Sequence, residues 1–433
     1  MREWGMRRAR RPTLVPRGAA ELRPGRRSAT RTAGHLLALG LTVLLAACAG
    51  EEPAIESRLA VAEVLGGGDT AGYAVADRPR RFAFPADHGA HPDFRTEWWY
   101  FTGNLATAGG RRFGYQLTVF RSALAPPPDA DGAGERASAW ATRQVWMGHL
   151  ALTDVAGRRF RAAEKLARGG DVGLAGARTA PFRVWVEDWQ ARSISRDSTA
   201  DAAPFLPLRL TAAGDDAALD LVLAPGKPLV LQGEDGLSRK GREAGAASYY
   251  YSLTRLPTRG TVTVGGERFA VTGASWLDRE WSTSVLGSGE RGWDWLSLQL
   301  ADGRDVVAWR IRGRGDAPGA IDYAAVVTPQ GELRVLDAAA ARLDPTGTWR
   351  SPATGALYPS GWRLSLPGAD AGGGQLEVVV EPLLRDQELD LSVRYWEGAV
   401  RVENVATGGP AGSAGAGAAG YGYVELTGYG DGG

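Results

Sequence analysis

The chain reads as an all-β protein made of two antiparallel barrels, and three observations lead there. Short runs of β-branched and aromatic residues recur between Gly, Pro and Asp turns over most of the length. The 433 residues include 60 Gly, 24 Pro and 15 Trp, a balance of turn formers and large flat side chains. Finally, no long amphipathic helical pattern is present, and the strands lie too close together for crossover helices.

The N-terminal part precedes the fold. Leu36 to Ala47 is almost entirely Leu, Ala, Val and Gly. Its length suits a signal-peptide h-region and falls short of the roughly 20 residues of a membrane span. The small residues Ala46 and Ala47 before Cys48, the only cysteine, resemble a bacterial lipobox, whose cysteine is acylated and becomes the first mature residue. Residues 1–47 are therefore read as signal and leader. Their ten arginines make an unusually long n-region, so either the true start codon lies downstream or the leader is arginine-rich. The expectation is an exported lipoprotein of the cell envelope, at the outer membrane or facing the periplasm, held to the membrane by its N-terminal acyl anchor. Its fold cannot depend on disulfides.

Without the leader, 40 Lys and Arg face 47 Asp and Glu, a formal charge of −7. No basic stripe remains to suggest a nucleic-acid partner. About 385 mature residues are too many for one ordinary core. The expected division is a lipidated Cys48 with a Gly-rich tether over 48–84, then barrels over 85–256 and 257–430. Leu59–Leu65 is a short helix candidate.

In the first barrel, Glu97 to Leu105 is aromatic and β-prone. After Gly109-Gly110, Phe113, Tyr115, Leu117 and Val119 alternate onto one face. Further strands fit Trp146–Thr153, Phe182–Asp188, Leu206–Ala212, Leu219–Ala224 and Ser248–Leu256, with a polar loop from Pro126 to Ser138. The second barrel opens with a hairpin over 260–272 turning at Gly265-Gly266. Strands then fit Trp293–Leu300, Val306–Arg312, Tyr323–Thr328, Leu333–Leu336, Gly361–Leu366, Leu376–Pro382, Tyr395–Asn404 and Tyr421–Gly428, with an Ala/Gly-rich loop over Ala406–Gly420. An internal echo links the halves: Trp98 to Arg121 resembles Trp293 to Arg310.

Several segments carry a family resemblance. His88 to Leu105, Gly148 to Asp154, Gly236 to Gly241, Ala247 to Ser252, Trp276 to Trp281, Gly292 to Trp295 and Gly420 to Tyr429 resemble, in order, the family of AttH-like proteins and carotenoid 1,2-hydratases (hydroxyneurosporene synthases). The resemblance covers about residues 82–430 and implies two lipocalin-like (calycin) barrels packed together. Members include hydratases that add water to an isolated C=C bond without a redox cofactor, and proteins described as predicted secreted hydrolases.

Hydration of such a bond needs a carboxylic acid kept protonated by an apolar pocket, and aromatic faces that stabilise the cation. Asp278 and Glu280 sit between Trp276 and Trp281, while Glu97 precedes Trp98-Trp99-Tyr100. On a strand, Asp278 and Glu280 share the face of Trp276, and Arg279 and Trp281 take the other. Asp278 is the candidate proton donor, with Glu97 or Glu280 orienting water. A purely structural role stays open for these carboxyls, as partners of buried arginines such as Arg121 or Arg310. Candidate ligand-lining residues are Trp98, Trp99, His149, Tyr249, Tyr251, Trp276, Trp281, Trp293 and Trp295, with Tyr249 and Tyr251 on one strand face and Tyr250 on the other.

His88, His91 and Glu97 form at most half a metal site, and no Gly-x-Ser-x-Gly elbow is present. No cofactor and no metal are expected. The expected partner is a long apolar molecule, an isoprenoid, carotenoid or lipid, to which water is added by Asp/Glu acid–base chemistry. The alternatives are a non-catalytic lipid carrier and, less favoured, a glycan-acting enzyme with paired carboxylates.

Overall fold

The alternating runs become strands throughout. The computed structural model describes residues 70–429 apart from 128–141, 171, 196–204, 242, 244, 287–288, 314–318, 370–372 and 406–418. Cys48, the leader and the Leu59–Leu65 helix candidate lie outside the described residues. So do most of the tether and most of the two loops beginning at Pro126 and Ala406. Among the described residues there is no α-helix, and none long and apolar enough to cross a membrane.

One 13-stranded sheet contains β1 (Thr96–Ala106), β2 (Arg112–Ala123), β3 (Gln144–Asp154), β4 (Arg159–Arg168), β5 (Ala175–Thr179), β6 (Phe182–Val186), β7 (Trp189–Ser193), β8 (Leu208–Ala213), β9 (Ala217–Leu223), β10 (Val230–Leu231), β11 (Leu237–Arg239), β12 (Ala247–Val264) and β13 (Glu267–Ser284). Its order is β4-β3-β2-β1-β13-β12-β9-β8-β7-β6-β5, and a bridge from Gly169 to Ala175 brings its two ends together, so the barrel is nearly closed.

A second sheet, a half-barrel, contains β14 (Glu290–Leu300), β15 (Asp305–Gly313), β16 (Tyr323–Val327), β17 (Leu333–Val335), β18 (Arg342–Pro345), then, past the separate hairpin of β19 (Thr348–Arg350) and β20 (Leu357–Pro359), β21 (Trp362–Leu366), β22 (Leu376–Pro382), β23 (Glu388–Asp390), β24 (Arg394–Asn404) and β25 (Gly420–Thr427). Its order is β17-β16-β15-β14-β25-β24-β22-β21-β18. Position for position this repeats the first sheet from β4 to β7. The echo between Trp98–Arg121 and Trp293–Arg310 is thus a repeated topology. In both halves a carboxylate on the first strand faces an arginine directly across on the second, Glu97 opposite Arg121 and Asp294 opposite Arg310.

The expected boundary after residue 256 is corrected by this topology. β12 runs unbroken through it, because the first sheet closes only when the β12–β13 hairpin returns to pair with β1. Gly265 and Gly266 make that hairpin turn at φ of 59° and 78°, the positive pair that a two-residue turn of matching twist needs.

Each sheet fills its own interior. Trp99, Phe101, Tyr115, Leu117 and Trp189 are among the side chains packed inside the first. Leu296, Trp362, Leu364, Trp396 and Val424 pack inside the second. A third cluster joins the outer faces of the two sheets, with Tyr100, Tyr250 and Trp276 from the first meeting Trp295, Trp309 and Tyr423 from the second. The close approach depends on Gly114, where an added Cβ would lie 2.3 Å from Cβ of Ala399.

Candidate functional site

Strand alternation decides what the two sheets show each other. β1 turns Trp99 and Phe101 into its barrel and leaves Trp98 and Tyr100 outside. The same rule exposes Asp278 and Glu280 on β13, Trp293 and Trp295 on β14, Trp309 on β15, and Tyr395 and Glu397 on β24. These side chains line a cleft between the sheets rather than within a barrel. With its mouth it encloses about 850 Å³ between facing aromatic side chains. It is a narrow slot, suited to a thin or flat molecule.

Asp278 lies in its wall, 3% exposed. Its Oδ1 accepts hydrogen bonds from Ser252 Oγ at 2.5 Å and Trp276 Nε1 at 2.7 Å, and its Oδ2 accepts one from Tyr250 Oη at 2.7 Å. No cation pairs with it among the described residues. Burial pushes its carboxyl up to about 7, against three hydrogen bonds that favour the charged form, and Glu280 nearby adds to the rise. Tyr250 in turn accepts from Trp295 Nε1 at 3.2 Å, across the sheet boundary.

The second sheet brings two more carboxyls. Glu397 on β24 stands directly opposite Glu425 on β25, a spacing that puts Cβ atoms about 4.5–5.5 Å apart. Burial pushes Glu425 up to about 8, although it takes a hydrogen bond from Trp293. Burial, with Glu425 adding repulsion, holds Glu397 well above the usual carboxylate range. Tyr100 Oη donates to Glu397 Oε1 at 2.5 Å, while the buried Oε2 has no hydrogen-bond partner. Glu280 is held differently, by Lys240 Nζ at 3.0 Å and by the hydroxyl of Ser248. The Lys240 ammonium also lies over the Tyr250 and Trp309 rings, at 4.8 and 4.4 Å.

The repeat makes the slot pseudo-symmetric. Trp98 sits across from Glu280 and Phe120, and Trp295 sits across from Glu425 and Trp309. Glu280 and Glu425 thus hold equivalent places in the two halves.

The structure sorts the sequence candidates. Trp98, His149, Asp278, Glu280, Trp293 and Trp295 line the slot, and Trp276 supports Asp278. His149 is engaged, Nδ1 with Tyr395 Oη at 2.7 Å and Nε2 with Glu164 at 3.0 Å. Glu97 is a correction. It points to the opposite side of β1 from the slot, fully buried, and bonds Arg121 and Arg279 while accepting from the backbone N–H of His91. Burial alone would raise its pKa, but Arg279 and Arg121 outweigh it and hold the carboxyl well below the usual range. Glu97 is therefore the structural ion pair that the sequence left open.

Trp99, Tyr249, Tyr251 and Trp281 are corrected likewise. Trp99 packs inside the first barrel. Tyr249, Tyr251 and Trp281 pack with Phe82 and Phe94 on the far face of β12 and β13. His88 bonds Tyr251 Oη at 2.7 Å, and His91 stacks on Trp281 and bonds Asp87 and Glu97. Among the described residues no cluster of three His, Cys, Asp or Glu is placed to hold a metal. Sequence reasoning missed Tyr100, Lys240, Tyr250, Trp309, Tyr395, Glu397 and Glu425 as slot residues. For Glu425 the internal repeat was the available signal, since it falls where Glu280 falls.

Comparison with known proteins agrees with this architecture. The family described as AttH-like matches residues 75–429. The AttH protein NE1406 of Nitrosomonas europaea is 37% identical, covering 82% of this chain and 99% of its own, with a TM-score of 0.67. Kievitone hydratase of Nectria haematococca shares the fold at 16% identity, covering 84% of this chain and 95% of its own, with a TM-score of 0.56. CghA in complex with Sch210972 does so at 15%, covering 86% and 99%, with a TM-score of 0.50. No curated protein matches the chain. The family match over nearly the whole described fold, together with the Nitrosomonas relative, places this chain in the AttH-like family.

Proposed function

We propose that the protein adds water to, or removes it from, a carbon–carbon double bond of a thin apolar molecule bound in the slot between its sheets. The observation that carries this reading is Asp278. It is a buried carboxyl with three hydrogen-bond donors, no cation, and aromatic walls on both sides. An acid whose pKa lies near ambient pH is the most effective proton donor. The Asp278 proton goes to one alkene carbon as the π pair forms the C–H bond, and the cation left on the other carbon faces Trp98, Trp295 and Trp309. Water oriented by Glu280 forms the C–O bond, and its released proton passes to Glu280 and back to Asp278, two residues away on the same face. The unpartnered Oε2 of Glu397 supplies a polar contact for a hydroxyl group of substrate or product.

A fold-level likeness to kievitone hydratase is in keeping with hydration chemistry. The apolar molecule fits an isoprenoid or lipid, by the narrowness and aromatic lining of the slot. Export and acylation at Cys48 are part of the same reading, supported by Leu36–Cys48; mass spectrometry of the mature N-terminus checks them.

Native mass spectrometry of the purified protein should first reveal the co-purified ligand. Released and returned to the protein, that ligand should gain or lose the mass of one water with the wild type and stay unchanged with Asp278→Asn. Unchanged ligand with both proteins, at equal affinity, would establish the carrier reading instead.

A further inference from the structure

The first barrel builds a row of arginines on the side away from its own core. Arg178 on β5 stands opposite Arg183 on β6, Arg183 opposite Arg192 on β7, and Arg192 opposite Arg209 on β8. The row continues through Val222 on β9 to Arg259 on β12. Their neighbours Phe182, Val184, Ala191, Leu208 and Leu210 point inward, so all five guanidinium groups face out. With strands about 4.8 Å apart, five arginines span about 24 Å.

Like charges directly opposite on neighbouring strands are destabilising, so such a row calls for an anionic partner. The protein supplies little of one. Asp220 pairs with Arg209 at 2.7 Å and lies near enough to Arg192 to feel its charge, and no carboxylate forms an ion pair with Arg178, Arg183 or Arg259 among the described residues. Burial, with Arg178 and Arg192 on either side, lowers the pKa of Arg183, and its Nε is buried without a hydrogen-bond partner. The linear sequence shows no basic stripe; strand register assembles one.

What surrounds the row narrows the partner. Trp185 continues the same outward face, with the Arg183 guanidinium 4.6 Å from its ring, and its Nε1 donates to Gly173 O at 3.0 Å. Beyond it come Leu174 and Val172, at 38% and 40% exposed. A tryptophan and two exposed aliphatic side chains beside a cationic row match the layered polarity of a bilayer surface, with phosphates outside and acyl chains beneath. A soluble polyanion would use the arginines alone.

We propose that this face docks the first barrel onto an anionic phospholipid surface, with the arginine row on lipid phosphates and Trp185 and Leu174 at the acyl boundary. The docking is separate from any acyl anchor and from the chemistry of the slot.

The test uses the full chain carrying Cys48→Ala, so that no acyl group contributes. Its co-sedimentation is compared on vesicles of phosphatidylcholine alone and of phosphatidylcholine with one third phosphatidylglycerol. Binding should be confined largely to the anionic vesicles and should fall with added salt. Adding Arg183→Gln and Arg192→Gln should weaken it about 30-fold, taking about 1 kcal/mol for each charge near the surface. The same variant should melt no lower than its parent, because repulsion is relieved, and the double lysine variant should keep most of the binding. Equal binding to both vesicles, or glutamine variants that bind as tightly as the parent, would overturn the proposal. So would tighter arginine-dependent binding to single-stranded DNA than to the anionic vesicles.

Discussion

Tyr250 Oη donates a 2.7 Å hydrogen bond to Asp278 Oδ2, and the two residues sit on neighbouring strands of the first sheet with the second sheet closing over them. The phenol connects the acid to the far wall, since it also accepts from Trp295. The acid is buried by packing between two sheets, not by a barrel interior. That places Asp278 where the two repeats meet.

Asp278 carries a pH-dependent stability cost. Burial raises its folded-state pKa from 3.8 to about 7, so the folded chain keeps a proton that the unfolded chain has lost within that window. The penalty for ionising it in the slot is absent below the window and complete above it. Asp278→Asn should therefore stabilise the protein by on the order of 2 kcal/mol at pH 8 and by much less at pH 4. Urea unfolding of both proteins across that range measures the difference; a gain that shrinks as pH rises would contradict it.

Glu97 predicts the opposite behaviour. Glu97→Gln leaves Arg121 and Arg279 buried with no carboxylate between them, and breaking a buried pair in this way costs about 3–5 kcal/mol. The denaturation midpoint should fall sharply. Slot binding of a fluorescent polyene such as cis-parinaric acid should be unchanged under conditions where the variant stays folded, because Glu97 faces away from the slot.

Gly114 tests the packing that shapes the slot. A valine there meets Ala399 across the interface and forces the sheets apart, at a cost of about 1–3 kcal/mol. Polyene binding should weaken along with stability. Gly109→Ala, in the exposed turn before β2, is the control: an added Cβ there meets nothing closer than 3.8 Å, and both properties should hold.

The barrels were legible because period-two alternation is local. So was the shared face of Trp276, Asp278 and Glu280 on β13. Which face of β12 meets the other sheet is not local, so alternation separates Tyr249 and Tyr251 from Tyr250 without saying which side lines the slot. The aromatic run beside Glu97 and the nearby Arg121 leave both a catalytic and a structural role open, and Arg279, which with Arg121 decides for the structural one, lies 182 residues away in sequence. Glu397 and Glu425 come from strands joined across the Ala/Gly-rich loop, and only register sets them side by side. The arginine row was hidden in the same way, its members scattered between residues 178 and 259.

The buried space between the sheets keeps the Asp278 carboxyl largely uncharged below neutral pH. A carbon-13 NMR titration of aspartate-labelled protein, with Asp278→Asn identifying the resonance, measures it directly. A midpoint near 7 is predicted; a midpoint near 4, with the group already ionised under neutral conditions, would contradict it.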